Sequence, residues 1–114
     1  MTAAAKPDAP EAFAAVDLRV GRVVGVEAFP EARKPAWKLR IDLGPLGERQ
    51  TSAQVTHYTP EELAGRDVVC AVNLGPKRIA GFVSECLLLG AVDDESVVRL
   101  LRPDSGARPG DPIS

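Results

Sequence analysis

Residues 59–65 have the sequence TPEELAG, the one strong helix signal in a chain otherwise patterned as strands. The Thr59 hydroxyl can accept a hydrogen bond from a backbone N–H three residues on, and the Glu62 carboxylate can reach back to the N–H of Thr59. Pro60 suits the first helical position, and Gly65 suits the left-handed position that ends a helix. These residues predict a helix of about one and a half turns, which must pack against the rest of the fold to be stable.

Three strand-like runs precede this helix. In the first, four apolar side chains fall at even spacing, namely Leu18, Val20, Val24 and Val26. Gly21 and Gly25 interrupt this run, and glycine inside a strand usually marks a bulge or a bend. In the second run, apolar residues at 37, 39, 41 and 43 alternate with Lys38, Arg40 and Asp42. A reversal at residues 44–47 leads into a third strand at 48–55.

Further strands are predicted after the helix. The apolar run at 68–72 predicts a strand buried on both faces, and residues 86–89 predict another. Between them, residues 73–85 are rich in Gly, Pro and polar side chains and predict a loop. Residues 97–101 predict a final strand, and the Pro-rich tail from residue 102 predicts irregular structure.

Five strands, or six at most, with one short helix between the third and fourth predict an all-β fold. The pattern is typical of a five-stranded Greek-key OB-fold barrel, which binds extended chains on its strand-2/3 face. Another small barrel is the alternative, because a β-sandwich would normally lack the inserted helix. We expect the barrel domain at residues 13–114, including a C-terminal extension, and a flexible N-terminal arm at residues 1–12.

The overall charge is mild, at −2 with a pI of about 5.4. A dedicated nucleic-acid-binding domain more often has a basic pI, which counts against that class. Cations are nevertheless concentrated from Arg33 to Arg49, where five lie among two acids. Cys70 and Cys86 lie in apolar runs, and two buried free thiols are favoured over a disulfide. The sequence shows no signal peptide and no membrane span, so we expect a cytoplasmic protein with no membrane insertion.

The candidate ligand-binding residues fall into two groups. The first surrounds the second and third strands and consists of Arg33, Lys34, Lys38, Arg40 and Gln54. The second belongs to the predicted loop and consists of Asn73, Lys77, Arg78, Ser84 and Glu85. Binding residues concentrate on loops held by a rigid sheet. These cations would attract phosphate groups or the acidic and backbone groups of an extended peptide.

Each candidate also has a structural interpretation. The cations can form a solvated strand face, and Asn73 can cap the end of a strand with its amide. Ser84 can be a turn hydroxyl, and Glu85 can pair with a loop cation. Trp37 is in phase with the apolar face of its strand, so it is expected in the core or at an interface and not as a base-stacking platform.

No residue pattern points to catalysis, to a metal or to a cofactor. His57 is the only histidine, and no motif joins it to a nucleophile and an orienting acid. The two cysteines lack the spacing of metal ligands. No Gly-rich phosphate loop precedes a helix. We therefore expect a binding protein that is not an enzyme.

Several motifs resemble the OB-fold tRNA-binding domain, which occurs as an appendage of methionyl- and phenylalanyl-tRNA synthetases and as a free-standing protein. They are DLRVGRV at 17–23, Asn73-Leu74-x-Pro76 and Gly81-x-x-Ser84. Within that superfamily, a second set of motifs is similar to the CsaA branch. These are ARKPAWKL at 32–39, TSAQ at 51–54, YTPEEL at 58–63 and SECLLLG at 84–90. The resemblance runs from about Phe13 to Ile113.

The resemblance implies an export-related, chaperone-like, cytoplasmic homodimer that binds unfolded preproteins and the secretion ATPase. Cys86 and Leu87 stand where many tRNA-binding relatives have Gly-Met, a departure that favours a peptide ligand. Two functions are therefore open: holding extended or unfolded polypeptides in a cationic groove, or binding tRNA or other structured RNA with the same face. A small barrel with exposed edges gains stability by association. Phe13 and Trp37 are the residues we expect at or near the dimer contact, together with the arm and the tail.

Overall fold

The fold is a five-stranded antiparallel sheet curled into a nearly closed barrel. The computed structural model describes residues 4–114. In chain order the elements are α1 (Pro10–Ala15), β1 (Leu18–Ala28), β2 (Trp37–Asp42), a 3-10 helix (Gly44–Leu46), β3 (Glu48–Ala53), α2 (Pro60–Leu63), β4 (Asp67–Ala71), β5 (Lys77–Ile79), β6 (Phe82–Ser84), β7 (Leu87–Leu88), β8 (Gly90–Val92) and β9 (Val98–Leu100). The large sheet has the order β3-β2-β1-β4-β7, while β5–β6 and β8–β9 form two hairpins. The predicted OB-fold barrel, with its short helix between the third and fourth strands, is confirmed.

The two edges of the sheet are brought together by the segment that follows β6. The backbone N–H of Glu85 donates to the carbonyl of Gln50 in β3, at 2.8 Å. The Glu85 carboxylate accepts in return from the N–H of Gln50, at 3.0 Å. The Gln50 amide then donates to the carbonyl of Val83. These bonds occupy the free edge of β3 and nearly close the barrel.

The core lies inside the barrel and is built from aliphatic side chains, as the scarcity of aromatic residues requires. Its buried members are Val23, Leu39, Ile41, Leu43, Val55, Leu63, Val68, Cys70, Val72 and Leu100. Leu63 belongs to α2, so the helix buries one apolar residue against the barrel. The Thr59–Glu62 capping box is formed, and Gly65 has a φ of +79°. The predicted helix and the need for it to pack are both confirmed.

The predicted even-spaced phase of β1 does not hold along the whole strand, although Val26 does pack against the core. Val23 is buried in the core, whereas Val24 is exposed. The register with β2 shifts between Val23 and Gly25, which is a β-bulge. An extra residue in one strand reverses which side chains face inward, so an even-spaced pattern cannot hold across it.

The segment at 73–85 is not wholly a loop, because it contains the β5–β6 hairpin. Ala80 and Gly81 form its tight turn with φ values of +48° and +80°, and Ile79 pairs with Phe82. The predicted strand at 86–89 is reduced to β7, and it is not buried on both faces, since Leu87 is 50% exposed. Strand β8 was not predicted. It pairs with β9 at the barrel rim.

The C-terminal tail packs beside the start of β1, and α1 directly precedes this strand. Of the predicted arm, residues 1–3 lie outside the described residues, and residues 4–9 are exposed and belong to no helix or strand. Helix α1 then begins at Pro10, within the predicted arm. The C-terminal tail runs beside β1, where Val20 exchanges backbone hydrogen bonds with Gly110 and Asp111. In the part of the chain that the structure describes, no helix has the length and apolarity that a membrane crossing would need.

Candidate functional site

A groove of about 1060 Å³ opens at one side of the barrel. We call it the barrel groove. Most of its lining is apolar and includes Phe29, Ile79, Leu87, Leu88, Val98 and Leu100. Its polar lining includes Arg33, Lys34, Gln54, Lys77 and Ser84. The groove therefore joins residues from the turn after β1, from the end of β3, from the β5–β6 hairpin and from β7 and β9.

Two of the groove cations lie on the turn between β1 and β2. Phe29 and Ala36 are buried at the two ends of this turn, and they anchor it to the barrel. Arg33 and Lys34 lie between these anchors and are exposed. Burial at both ends and exposure in the middle is the pattern expected for a turn that presents side chains to a ligand.

The third groove cation, Lys77, faces the groove because side chains alternate between the two faces of strand β5. Lys77 and Ile79 both line the groove, because side chains two residues apart share one face of a strand. Arg78 lies between them and therefore faces the other side, where its guanidinium donates to the Gly81 carbonyl at 3.4 Å. Lys77 and Arg78, which are adjacent in the predicted site, therefore lie on opposite faces of the strand.

Ser84 lies at the groove wall, but its hydroxyl is already committed. The Thr51 hydroxyl donates to the Cys86 carbonyl at 2.6 Å, which uses its one proton. The Ser84 hydroxyl oxygen lies 2.7 Å from that of Thr51, accepts from the Ser52 N–H at 3.4 Å and lies 3.4 Å from the Cys86 carbonyl. These contacts hold the Ser84 hydroxyl within the protein.

Two other predicted site residues make internal contacts. The Asn73 amide donates to the Ala15 carbonyl and accepts from the Asp17 N–H, both at 2.8 Å. It therefore ties the end of β4 to the start of β1. The Glu85 carboxylate accepts a hydrogen bond from the Gln50 N–H of β3, whereas the sequence suggested that it pairs with a loop cation. Neither residue lines the barrel groove.

Lys38 and Arg40 lie on a separate pocket of about 250 Å³ on the outer face of β2, which we call the β2 pocket. The Lys38 ammonium lies 4.8 Å from the centre of the Phe29 ring and 5.3 Å from that of Phe82. Arg40 forms an exposed ion pair with Glu48, at 3.0 Å. The structure therefore divides the predicted cationic cluster between two surfaces.

The barrel groove has a one-sided charge. Its lining contains the three cations Arg33, Lys34 and Lys77 and no acidic residue. Within residues 4–114, none of these three takes part in an ion pair, whereas Arg40 does. A cation on a partly apolar wall with no internal partner favours a negatively charged group on the ligand.

The two cysteines are free and lie next to groove residues in the chain or the sheet: Cys86 directly precedes Leu87, and Cys70 pairs in register with Leu88. Cys70 is buried, and Cys86 is only half-buried, in contrast to the prediction that both are buried. The hydrogen bond between the two thiols raises the pKa of Cys70, and burial raises it further. The same bond lowers the pKa of Cys86. Cys86 is therefore the more acidic thiol of the pair.

The remaining candidates have clear positions. The Trp37 side chain packs against the core, and its indole N–H donates to the Tyr58 carbonyl at 3.0 Å. Phe13 on α1 is 58% exposed.

The His57 ring nitrogen Nε2 lies 2.7 Å from the carbonyl oxygen of Val98. Among the described residues, no group of three or more His, Cys, Asp and Glu side chains is arranged to hold a metal.

Sequence reasoning missed the apolar part of the groove. Ile79, Leu87 and Val98 come from three different predicted elements: the loop at 73–85, the buried strand at 86–89 and the final strand at 97–101. The one available signal was the predicted strand at 86–89. Two-sided burial is difficult for a strand at the open edge of a small barrel, so part of it had to face a surface.

Comparison with known proteins agrees with this architecture. A family model described as a putative tRNA binding domain matches residues 18–112. The crystal structure of the chaperone CsaA from Bacillus anthracis strain Ames shares 47% sequence identity with the chain, with a TM-score of 0.90. The alignment covers 96% of this chain and 100% of that one. The CsaA chaperone protein from Picrophilus torridus shares 43% identity, with a TM-score of 0.89, over 95% of this chain and 100% of that one.

The chain is also similar to part of a much longer protein. Methionine–tRNA ligase 1 from Sorangium cellulosum (strain So ce56) is 44% identical to it over 112 residues, which is 94% of this chain. The chain spans 16% of the length of that ligase. The motifs, the barrel and these similarities agree, and the chain belongs to the tRNA-binding domain family as a CsaA-type protein.

Proposed function

We propose that the protein is a non-enzymatic, chaperone-like binding protein that holds extended or unfolded polypeptides in the barrel groove. The observation that supports this most directly is the composition of the groove, in which an apolar lining is combined with cations that form no ion pair within residues 4–114. An unfolded chain exposes apolar side chains together with charged and backbone polar groups. A surface that offers both kinds of contact can therefore hold many different segments.

The size of the groove supports the same proposal. Its volume of about 1060 Å³ is at the upper limit of the ~300–1,000 Å³ typical of small-molecule sites. The groove is also an open surface feature, so a chain can pass along it. An extended segment of several residues fits such a site better than a compact metabolite does.

The second candidate function is binding of tRNA or another structured RNA. The family model and the similarity to a methionine–tRNA ligase favour it. Sequence-tolerant binding of single-stranded nucleic acid depends on exposed rings on which bases stack. Among the described residues, Phe29 is the only aromatic one in the groove lining, and it is 4% exposed. The absence of an exposed ring along this groove favours the polypeptide.

The cellular role follows from the resemblance to CsaA-type proteins. We propose an export-related task in the cytoplasm, in which the clients are unfolded preproteins and the secretion ATPase receives them. We also propose a homodimer. The exposed ring of Phe13 on α1 is consistent with it, since removing a phenyl ring from water against a second subunit is favourable.

The two functions can be separated by titrating the protein with a permanently unfolded, fluorescently labelled preprotein and with unmodified tRNA, at low and high salt. We expect binding of the unfolded chain that survives at high salt, because apolar contacts are insensitive to screening. RNA binding would weaken steeply with salt. Salt-sensitive binding of tRNA, with no binding of the unfolded chain, would contradict the proposal.

A further inference from the structure

We infer that the barrel groove selects client segments in which acidic side chains stand next to apolar ones. This inference rests on the proposed function and adds the class of client. It starts from the imbalance of charge in the groove. The chain as a whole has a net charge of −2, yet the groove lining holds three cations and no acid.

The three cations come from two different walls. Arg33 and Lys34 belong to the turn that is anchored by buried Phe29 and Ala36. Lys77 begins β5, where it pairs in register with Ser84. A client that lies between the turn and the hairpin therefore meets positive charge from both sides.

Most of the remaining lining is apolar. It includes Leu87 and Leu88 of β7 and Val98 and Leu100 of β9. Leu87 is half exposed, so it is available for contact in the free protein. A client that places apolar residues on β7 and β9 has its next residues beside the cations.

The cations are free to act on the client. Within residues 4–114, the ion pairs of the protein involve other arginines, and Arg33, Lys34 and Lys77 have no acidic partner. An acidic client would supply the missing partners, and the apolar wall beside them would reduce solvent screening. A basic client would meet like charges at short range, which provides discrimination by repulsion as well as by attraction.

RNA is also anionic, but the groove fits it less well. Most of its lining is apolar, and Phe29, the one aromatic residue among the described lining residues, is buried. Phosphate groups would meet the cations while the bases would find no ring on which to stack. The charge and the apolarity together therefore favour an acidic polypeptide.

The test uses three labelled ten-residue peptides and the full-length protein. The peptides share one set of apolar residues and carry Asp, Asn or Lys at the same intervening positions. We expect the Asp peptide to bind about 5- to 30-fold more tightly than the Lys peptide, from three partly screened charge pairs. The Asn peptide should lie between them.

A charge-reversed protein provides the decisive comparison. The triple variant Arg33→Glu/Lys34→Glu/Lys77→Glu should invert the order and prefer the Lys peptide. The matched control Arg40→Glu/Arg78→Glu/Arg99→Glu changes the net charge equally at exposed residues outside the groove, the arm and the tail, and it should keep the original order. Circular dichroism checks that both variants are folded.

The outcomes distinguish this inference from the proposed function. Equal affinity for the Asp and Lys peptides would overturn the charge preference while leaving polypeptide binding intact. No binding of any peptide, with retained binding of tRNA, would overturn both. If the triple variant does not fold, the peptide series on the natural protein still decides, because the order of affinities is measured there.

Discussion

At the scale of single residues, two glycines in β1 play different roles although the sequence presents them alike. A Cβ atom built on Gly21 would lie 2.5 Å from Cγ2 of Ile41, inside the core. A Cβ atom on Gly25 would meet the Arg40 guanidinium at 2.6 to 2.9 Å. The first neighbour is held by close packing, whereas the second is the end of a flexible, exposed side chain that can move away.

We predict that Gly21→Ala lowers the free energy of unfolding by about 1–3 kcal/mol, because it overpacks the core. Gly25→Ala is the matched control and should be nearly neutral, since Arg40 can take another rotamer. Urea denaturation followed by circular dichroism measures both. Equal losses in the two variants would show that the packing around Gly21 is not what requires glycine there.

At the scale of elements, α2 depends on its capping box. The Thr59 backbone N–H donates to the Glu62 carboxylate at 2.8 Å, and the Glu62 N–H donates to the Thr59 hydroxyl at 3.2 Å. Hydrogen bonds from Thr59, first from its backbone N–H, hold the pKa of Glu62 below its ordinary value. The ionised carboxylate therefore favours the folded state.

The pH dependence of stability follows from this direction. Because the pKa of Glu62 is lower in the folded than in the unfolded protein, its contribution is complete above the unfolded pKa of about 4.3 and is lost as the pH falls through the folded pKa. Glu62→Gln keeps an amide that can cap and removes only the charge. We predict that this variant is less stable than the natural protein at pH 7 and that the difference shrinks by pH 3.

The matched control for this prediction is Glu61→Gln. Glu61 lies in the same turn but outside the capping box. Its substitution should give a smaller difference between the two pH values. Urea midpoints at both pH values provide the measurement, and an identical pH profile for the two variants would argue against a special role of the Glu62 charge.

At the scale of the whole molecule, the C-terminal tail runs beside β1, and α1 directly precedes the same strand. The tail bonds to β1 from Leu18 to Val20, and Asn73 ties α1 to the end of β4. The Asn73 contact reaches only the last residue of α1, the helix buries none of its residues, and Phe13 stays exposed. This exposed helix is the surface that the homodimer we propose would use.

We predict that Phe13→Ser shifts the protein from dimer towards monomer, because it removes a large apolar ring from the proposed contact. Val92→Ser is the control, since Val92 is 65% exposed on β8 and belongs to neither chain end. Sedimentation velocity over a range of protein concentrations gives the oligomeric state. A natural protein that stays monomeric at every concentration, or an unchanged dimer in Phe13→Ser, would contradict the proposal.

Much of the fold could be predicted because the signals are local. Alternation along β2 and the capping residues of α2 depend on contacts within a few residues, and both were identified correctly. The glycines of β1 predicted a bulge or a bend, but its exact position could not be predicted, since the register shift depends on pairing with β2. The β5–β6 hairpin was missed because its strands are only three residues long and its turn uses Ala80 at a positive φ.

By itself, the sequence determined the barrel, the position of its helix and the family, because these depend on short-range patterns and on motifs that lie within single elements. Only the tertiary structure decided which cations share a surface. Lys77 joins Arg33 and Lys34 because β6 and the residues after it bond to β3, across contacts such as that between Gln50 and Glu85. Lys38 and Arg40 are excluded because the pleat turns them to the outer face. Such groupings depend on how distant strands close on one another, and this closure is not encoded in any local run of residues.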